Sequence, residues 1–378
     1  MEFQQALPDQ IKDLSTDELK QRIIAAKEKL GKKLVILGHH YQRDEVIAFA
    51  DITGDSLKLA QAAAEQRDAD FVVFAGVHFM AESADILTSD SQTVCLPSLR
   101  AGCAMAEMAD DQDVQAALDE LAGLTDETII PVTYVNSTAA IKAITARAGG
   151  ACCTSSNAKN VFSWAFAPAK SGGAGAGKVF AVPDQHLARN TAIAMGYTEE
   201  DCVIYDPALP SGGLDAETVK RAKFLLWKGH CYVHQLFTVQ DVQQARVKDP
   251  EATIIVHPEC PREIVKLADA AGSTGQIINA ISQAEAGTSW FVGTEGNLVN
   301  RLNQTHPDKT VRLLADRPAR CSHMAQVDLP HLAWVLQSIV DGEPENVIRV
   351  DASIADDARL AVQRMIDIPG TSSLTQVD

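Results

Sequence analysis

Three cysteines in this 378-residue chain occupy related settings: Cys103 in LRAGCAMAEM, Cys231 in WKGHCYVHQLF and Cys321 in PARCSHMA. Ser56 precedes Cys103 by 47 residues and Thr274 precedes Cys321 by the same 47, whereas Ser155 precedes Cys231 by 76. The chain has eight cysteines but no CxxC pair, which disfavours a zinc ribbon or a thioredoxin-like motif. Any metal site must therefore gather single thiolates from distant segments. Three thiolates suit an iron-sulfur cubane whose fourth iron has no protein ligand, and such an iron is a Lewis acid for a substrate oxygen or nitrogen. A three-cysteine zinc site, which ordinarily uses closer ligand pairs, and three small buried hydrophobes are the competing readings. One cysteine at an equivalent place in each of three units favours the cluster. Cys95 and Cys202, in or beside apolar strand candidates, and Cys152 and Cys153, present in one unit only, are expected to pack in cores.

Proton-handling side chains stand at the ends of three apolar runs: His39 in KLVILGHHYQ, Tyr134 in TIIPVTYVNSTAAIKAI, and His257 with Glu259 in ATIIVHPECPRE. At strand ends such groups can serve as acid, base or hydrogen-bond donor, although a single histidine is more often structural. Cys260 is read as a bystander, because the cysteine that answers to Cys103 and Cys231 is Cys321. Ser56, Ser155 and Thr274 are expected to open helices, where unbonded N–H groups and the positive dipole end attract anions. One such residue is usually an N-cap; three that converge would make a pocket for a polycarboxylate or a phosphate. Glu295 and Asp184, after the second strands of their units, are as compatible with a structural role as with lining that pocket.

Positioning these groups requires strands and helices in a fixed order, and that order occurs three times. Each unit runs strand, polar turn, helix, hydroxyl residue, second strand (DFVVFAGV, KVFAVP, SWFVGT), third strand (QTVCLPSL, CVIYDP, TVRLLAD) and cysteine. His39 to Ser56 and His257 to Thr274 both span 17 residues, and Tyr134 to Ser155 spans 21. SGGAGAG, expected to be a flexible surface insertion, and a helical PSGGLDAETVKRAKFLLWKG account for the longer middle unit. The glycines of that insertion lack P-loop order despite Lys178, so phosphate cradling there is not expected. Alternating strands and helices predict an α/β fold with parallel sheets; three pseudo-threefold-related α/β domains would turn the strand ends and the three cysteines toward one cavity, giving parallel sheets arranged around a central iron-sulfur cluster. The expected divisions are an N-terminal helical extension over 1–30, α/β repeats over 31–125, 126–236 and 237–325, and a C-terminal helical segment over 326–378. Within the extension, KDLSTDELKQRIIAAKEKL has helical spacing, a Ser/Thr/Asp start and Gly31 as its stop.

The formal net charge of −17 argues against a nucleic-acid partner, whose phosphates are met by clustered Lys and Arg. No apolar run approaches the roughly 18 residues of a membrane span, and the amino-terminal MEFQQALPDQ is polar and acidic where a signal peptide would be basic and then apolar. The expectation is a cytoplasmic protein with reduced thiols, no membrane and no nucleic acid.

The motifs LGHHYQ, GDSLKLA, RAGCAMAEM, YVNSTA, CTSSNA, GHCYVH, HPEC and GSTGQII, in that order over about residues 33 to 325, closely resemble those of the quinolinate synthase family. The resemblance implies a pseudo-threefold triangle of α/β domains around an oxygen-sensitive 4Fe-4S cluster, with Cys103, Cys231 and Cys321 as its ligands. It implies condensation of iminoaspartate with dihydroxyacetone phosphate in NAD biosynthesis, and a functional link to L-aspartate oxidase. His39, Ser56, Tyr134, Val135, Asn136, Ser155, His257, Pro258, Glu259 and Thr274 match the family's substrate-contacting positions. His39, Tyr41, Tyr134, His257 and Glu259 are the implied catalytic set, and His234 matches a further polar position. Relatives with extra cysteines near the third ligand differ from this chain, which has CSHMA there, so no local disulfide switch is expected. Another iron-sulfur hydro-lyase of small carboxylates and a non-catalytic redox sensor are the rival functions.

Overall fold

The computed structural model describes residues 5–370 and 374–376. Its strands are β1 (Leu34–His39), β2 (Ile52–Gly54), β3 (Phe71–Ala75), β4 (Thr93–Cys95), β5 (Ile129–Tyr134), β6 (Ala151–Cys153), β7 (Lys178–Val182), β8 (Cys202–Tyr205), β9 (Phe224–Trp227), β10 (Thr253–Val256), β11 (Ala270–Ala271), β12 (Ser289–Gly293), β13 (Thr310–Leu313), β14 (Val347–Ile348) and β15 (Thr375–Gln376). They form three five-stranded sheets in the orders β14-β4-β3-β1-β2, β6-β5-β7-β9-β8 and β13-β12-β10-β11-β15. The pairings are parallel except at two edges, β14 on β4 and β15 on β11. Strands such as β1, buried along its whole length, need the continuous apolar run LVIL because helices cover both faces of a parallel sheet.

The first and third sheets follow one plan. A central strand (β1 or β10) lies between the next two in sequence (β2 and β3, or β11 and β12), with a fourth (β4 or β13) outside. In the middle sheet β5 lies between β6 and β7, and the fourth place is taken by β9. This corrects the sequence expectation on two points. FLLW is strand β9 and not part of a helix, and CVIYDP supplies β8, an added edge strand and not the third strand of the plan. Four apolar residues are too few to display a period, so a short buried strand following the helix Ala216–Arg221 reads as its continuation. Tyr205 of β8 stacks on Trp227 of β9 with ring centroids 5.8 Å apart, which anchors the added strand.

The glycine-rich stretch is also not a loose insertion. The N–H groups of Ala174, Gly175 and Ala176 donate to the carbonyls of Trp164, Ala167 and Ala165, so the loop folds back on the helix Ala158–Phe166.

One detail shows how closely the units correspond. Before the second strand of the outer units an aspartate bonds the central strand: Asp51 Oδ2 accepts from Ile36 N–H at 2.8 Å, and Asp269 Oδ2 from Ile254 N–H at 2.7 Å. The register puts Pro131 and Gly150 at those places in the middle unit. Proline has no N–H to offer, and a Cβ on residue 150 would lie 1.8 Å from Pro131 O, so the aspartate is replaced by glycine.

The chain forms two compact units. Met1–Cys103 with Arg320–Ala355 carries the first sheet, and Ala104–Ala319 with Asp356–Asp378 carries the other two. In the first unit the expected N-terminal helix runs over Thr16–Leu30 and packs along Leu329–Asp341. Ser15 and Glu18 form its capping box, and Gly31 ends it at φ 52°. In the second, Asn157 Nδ2 bonds the carbonyls of Met365 (2.9 Å) and Ile368 (3.0 Å), tying the C-terminal end of the helix Ala352–Asp367 to the start of the helix Ala158–Phe166. Among the described residues no helix is long and apolar enough to cross a membrane.

Candidate active site

Cys103, Cys231 and Cys321 open the same local structure. A 3-10 turn begins three residues later (Ala106–Met108, His234–Leu236, Met324–Gln326), and an α-helix cap stands seven residues later (Asp110, Thr238, Asp328). Each cap side chain accepts from an N–H of its own helix, so each cysteine turn is followed by a rigid element. These three thiols are partly exposed, whereas Cys95, Cys152, Cys153, Cys202 and Cys260 are buried. Burial pushes Cys95, Cys152 and Cys202 up to about 12, and Cys153 and Cys260 well above the ordinary thiol value. A metal takes the thiolate, so the donor chemistry fits the three turn cysteines and not the other five. Cys260 points its sulfur at Gly293 O, 3.5 Å away, as a core residue does.

In the second unit the end of β5 and the loop after β10 bring Tyr134, His257 and Glu259 together. The Tyr134 hydroxyl donates to Glu259 Oε1 at 2.5 Å, and His234 Nδ1 lies 2.8 Å from Glu259 Oε2. The His234 and His257 rings stack with centroids 4.6 Å apart. Glu259 N–H bonds His257 Nδ1 at 3.3 Å, which makes that nitrogen an acceptor and leaves Nε2–H to donate to Ser155 Oγ, 3.1 Å away. Burial pushes His257 down to about 3, against the pull of Glu259, so the ring is neutral at pH 7. Burial alone would raise Glu259, but the adjacent His234 and the bonds from His234 and Tyr134 outweigh it and hold the carboxyl below its ordinary value. Cys231 Sγ, a ring nitrogen of His234 and a Glu259 oxygen lie within 4.8 Å of one another.

A supporting layer surrounds these groups. Asn190 Nδ2 bonds the carbonyls of Pro258 and Cys260, both at 2.9 Å, which fixes the loop bearing Glu259. Gln235 Nε2 bonds His186 Nε2, and His186 is pushed down to about 4, mainly by burial. Asp184 and Glu295 both cap helices through two N–H bonds each. Burial and then the Glu259 charge push the Asp184 carboxyl well above its ordinary value. Val135 N–H bonds Cys153 O at 2.8 Å, and Asn136 Oδ1 is buried without a hydrogen-bond partner among the described residues.

The first unit repeats the histidine geometry. Tyr41 N–H bonds His39 Nδ1 at 3.1 Å, as Glu259 N–H bonds His257 Nδ1, and the Tyr41 and His39 rings meet edge to face at 4.8 Å. Of the three hydroxyl residues, Ser56 and Thr274 open helices as expected and only Ser155 does not. Ser56 and Thr274 are the first residues of their helices, behind the true caps Asp55 and Ser273. Ser155 lies two residues before its cap, Asn157, and bonds His257 instead. The residue most undervalued from sequence is His234. Its signal was its position, three residues after Cys231 at the head of the 3-10 turn.

Comparison with known proteins agrees with these features. The family model described as "Quinolinate synthetase A protein" matches residues 21–367. The quinolinate synthase of Bacillus subtilis strain 168 is 50% identical over 363 residues, covering 96% of each chain. That of a Nocardioides species, strain JS614, is 51% identical over 368 residues, covering 97% of this chain and 93% of its own. With the cysteine turns and the Tyr134–Glu259–His234 network on a match of this extent, the chain belongs to the quinolinate synthase family, enzymes of NAD biosynthesis.

Proposed function

We propose that the chain condenses iminoaspartate with dihydroxyacetone phosphate to give quinolinate, releasing phosphate and two waters. The balance is redox-neutral and needs no external oxidant. The observation that carries this reading is the buried Tyr134–Glu259–His234 chain beside Cys231, since carbon–carbon bond formation, ring closure and dehydration all require protons to move at fixed atoms. Tyr134 gives and regains a proton against Glu259, and His234 holds the carboxylate ionised. Neutral His257, with its Nε2–H directed at Ser155, is a donor to a substrate oxygen. Asn136 Oδ1 is an acceptor for a substrate N–H or O–H. The helices that begin at Ser56 and Thr274 offer N–H groups to carboxylate or phosphate, with His39 and Tyr41 as further substrate contacts.

Cys103, Cys231 and Cys321 would hold a 4Fe-4S cluster, a choice supported by their three matching turns. When bound, the cluster supplies an iron with an open position that acts as a Lewis acid. The three α/β repeats (31–125, 126–236 and 237–325) would each contribute one of these thiolates. The substrate iminoaspartate would come from oxidation of aspartate, which is the functional link to L-aspartate oxidase, and the enzyme would work in the cytoplasm.

A second reading is favoured by the Cys231–His234–Glu259 group, which could hold one divalent ion with an open position, as catalytic zinc sites do. Metal and sulfide analysis of anaerobically purified protein separates the two. Iron with matching sulfide, lost on Cys103→Ser or Cys321→Ser and kept on Cys260→Ser, supports the cluster. Zinc without sulfide, indifferent to Cys103→Ser, overturns it.

A further inference from the structure

The turn that follows each of the three cysteines is gripped by a side chain from another part of the chain. Trp227 Nε1 donates to Met108 O at 2.8 Å, at the end of the Cys103 turn. Arg317 Nη2 donates to Leu236 O, at the end of the Cys231 turn. Arg43 Nη2 donates to Ala325 O at 2.8 Å, and Gln42 Nε2 to Met324 O at 3.3 Å, in the Cys321 turn. Trp227 lies four residues before Cys231, and Arg317 four residues before Cys321. The segment leading to one cysteine therefore secures the turn behind another. Gln42 and Arg43 follow Tyr41 in the loop after β1, so the Cys321 turn is held from a loop that bears an expected substrate group.

The Arg317 grip is the most developed. Its guanidinium forms a fork with the buried Asp241, Nη1 to Oδ1 at 2.9 Å and Nη2 to Oδ2 at 2.7 Å. Asp241 Oδ2 also accepts from the N–H and the Oγ1 of Thr238, both at 2.8 Å. Arg317 thus joins the last carbonyl of the turn to the first turn of the helix behind it. A lysine could not reproduce that geometry, because it lacks the planar fork. Groups that orient metal ligands govern retention of the metal, and a grip on the backbone of a ligand turn acts on the thiolate it carries.

We propose that Arg317, Trp227 and Arg43 are positioning residues for the cluster cysteines, each fixing one ligand turn through a backbone carbonyl. The inference rests on the cluster reading above and adds the groups that set how firmly the cluster is kept.

The test uses full-length protein with its cluster assembled anaerobically, in parent, Arg317→Met, Arg317→Lys, Trp227→Phe and Arg246→Met forms. Arg246 is the control: it pairs with Asp269 at 2.7 Å and donates to Ala252 O, the same chemistry away from any cysteine turn. Iron and sulfide are followed after addition of a chelator, and the reduced cluster is recorded by electron paramagnetic resonance. Arg317→Met is expected to lose iron about 10- to 100-fold faster than the parent, the usual range for ligand-orienting groups, with a broadened spectrum. Arg317→Lys should fall between the two, and Arg246→Met should match the parent. Trp227→Phe, which keeps a buried aromatic ring but removes the donor with the rest of the indole, should also lose iron faster. Parent-like retention in both Arg317→Met and Trp227→Phe, or equally fast loss in Arg246→Met, overturns the inference. A parent without iron and sulfide overturns the cluster reading itself, whereas a parent with the cluster and indifferent variants overturns this inference alone.

Discussion

Glu259 sits between a phenol and an imidazole, buried and ionised, and its chemistry depends on both neighbours. Tyr134→Phe removes one proton path while leaving the ring in place, and Glu259→Gln removes the carrier itself. Each is expected to lower kcat by about 100-fold or more, the usual weight of a positioned acid or base. Iron content should stay at the parent level, because neither residue is among the proposed cluster ligands. Steady-state kinetics with iron analysis on the same sample would check both. At this scale the sequence was informative where a residue sits at a strand end within a repeat, as His39, Tyr134 and His257 do. It was less informative for His234, whose place beside Glu259 depends on how the Cys231 turn meets the loop after β10. Cys260, next to Glu259 in sequence, was separable from the site by repeat position alone, and its sulfur is in the core.

Each second strand enters its sheet beside a partner chosen to suit the central strand. Gly150 is expected to tolerate no side chain: Gly150→Ala sets a methyl 1.8 Å from Pro131 O and should lower stability by about 1–3 kcal/mol, the range for overpacking, read as a fall in Tm. Beside β10, burial would raise Asp269, but bonds from Arg246 and from Ile254 N–H outweigh it and hold its carboxyl below the ordinary value. A depressed carboxyl contributes stability that is present above the unfolded value and is lost as pH falls through the folded one. Asp269→Asn should therefore lower Tm at pH 7 and lower it progressively less as pH falls below the ordinary carboxyl value, so that thermal melts of the two proteins converge toward the acid end. The repeated spacings made the sheet plan legible, since 17-residue and 47-residue intervals recur only if the elements do. What failed was the middle unit, because FLLW is too short to show a period and CVIYDP is an inserted strand that no other unit contains. The ordered glycine loop failed for a related reason: its stability lies in backbone bonds to the helix Ala158–Phe166, which composition does not encode.

Across the chain, one partly exposed cysteine follows β4, β9 and β13 in sequence, one for each of the three mostly parallel sheets, and the remaining thiols are packed away. Charge and hydropathy excluded partners more than they identified a reaction, and the −17 net charge makes any anion site a local matter of helix ends and histidines. The recurrence of one cysteine turn with a cap seven residues on is the feature that composition could not show, although the 47-residue spacing pointed to it. Replacing Cys103, Cys231 or Cys321 singly by Ser should abolish both iron retention and turnover, and Cys95→Ser or Cys202→Ser should spare both, as colour and iron assay would show. The most direct measurement is turnover by anaerobically purified protein whose iron and sulfide have been quantified, supplied with iminoaspartate and dihydroxyacetone phosphate. Quinolinate formed with one phosphate released per ring is the expected result. A protein with its cluster intact that yields neither quinolinate nor phosphate would contradict it.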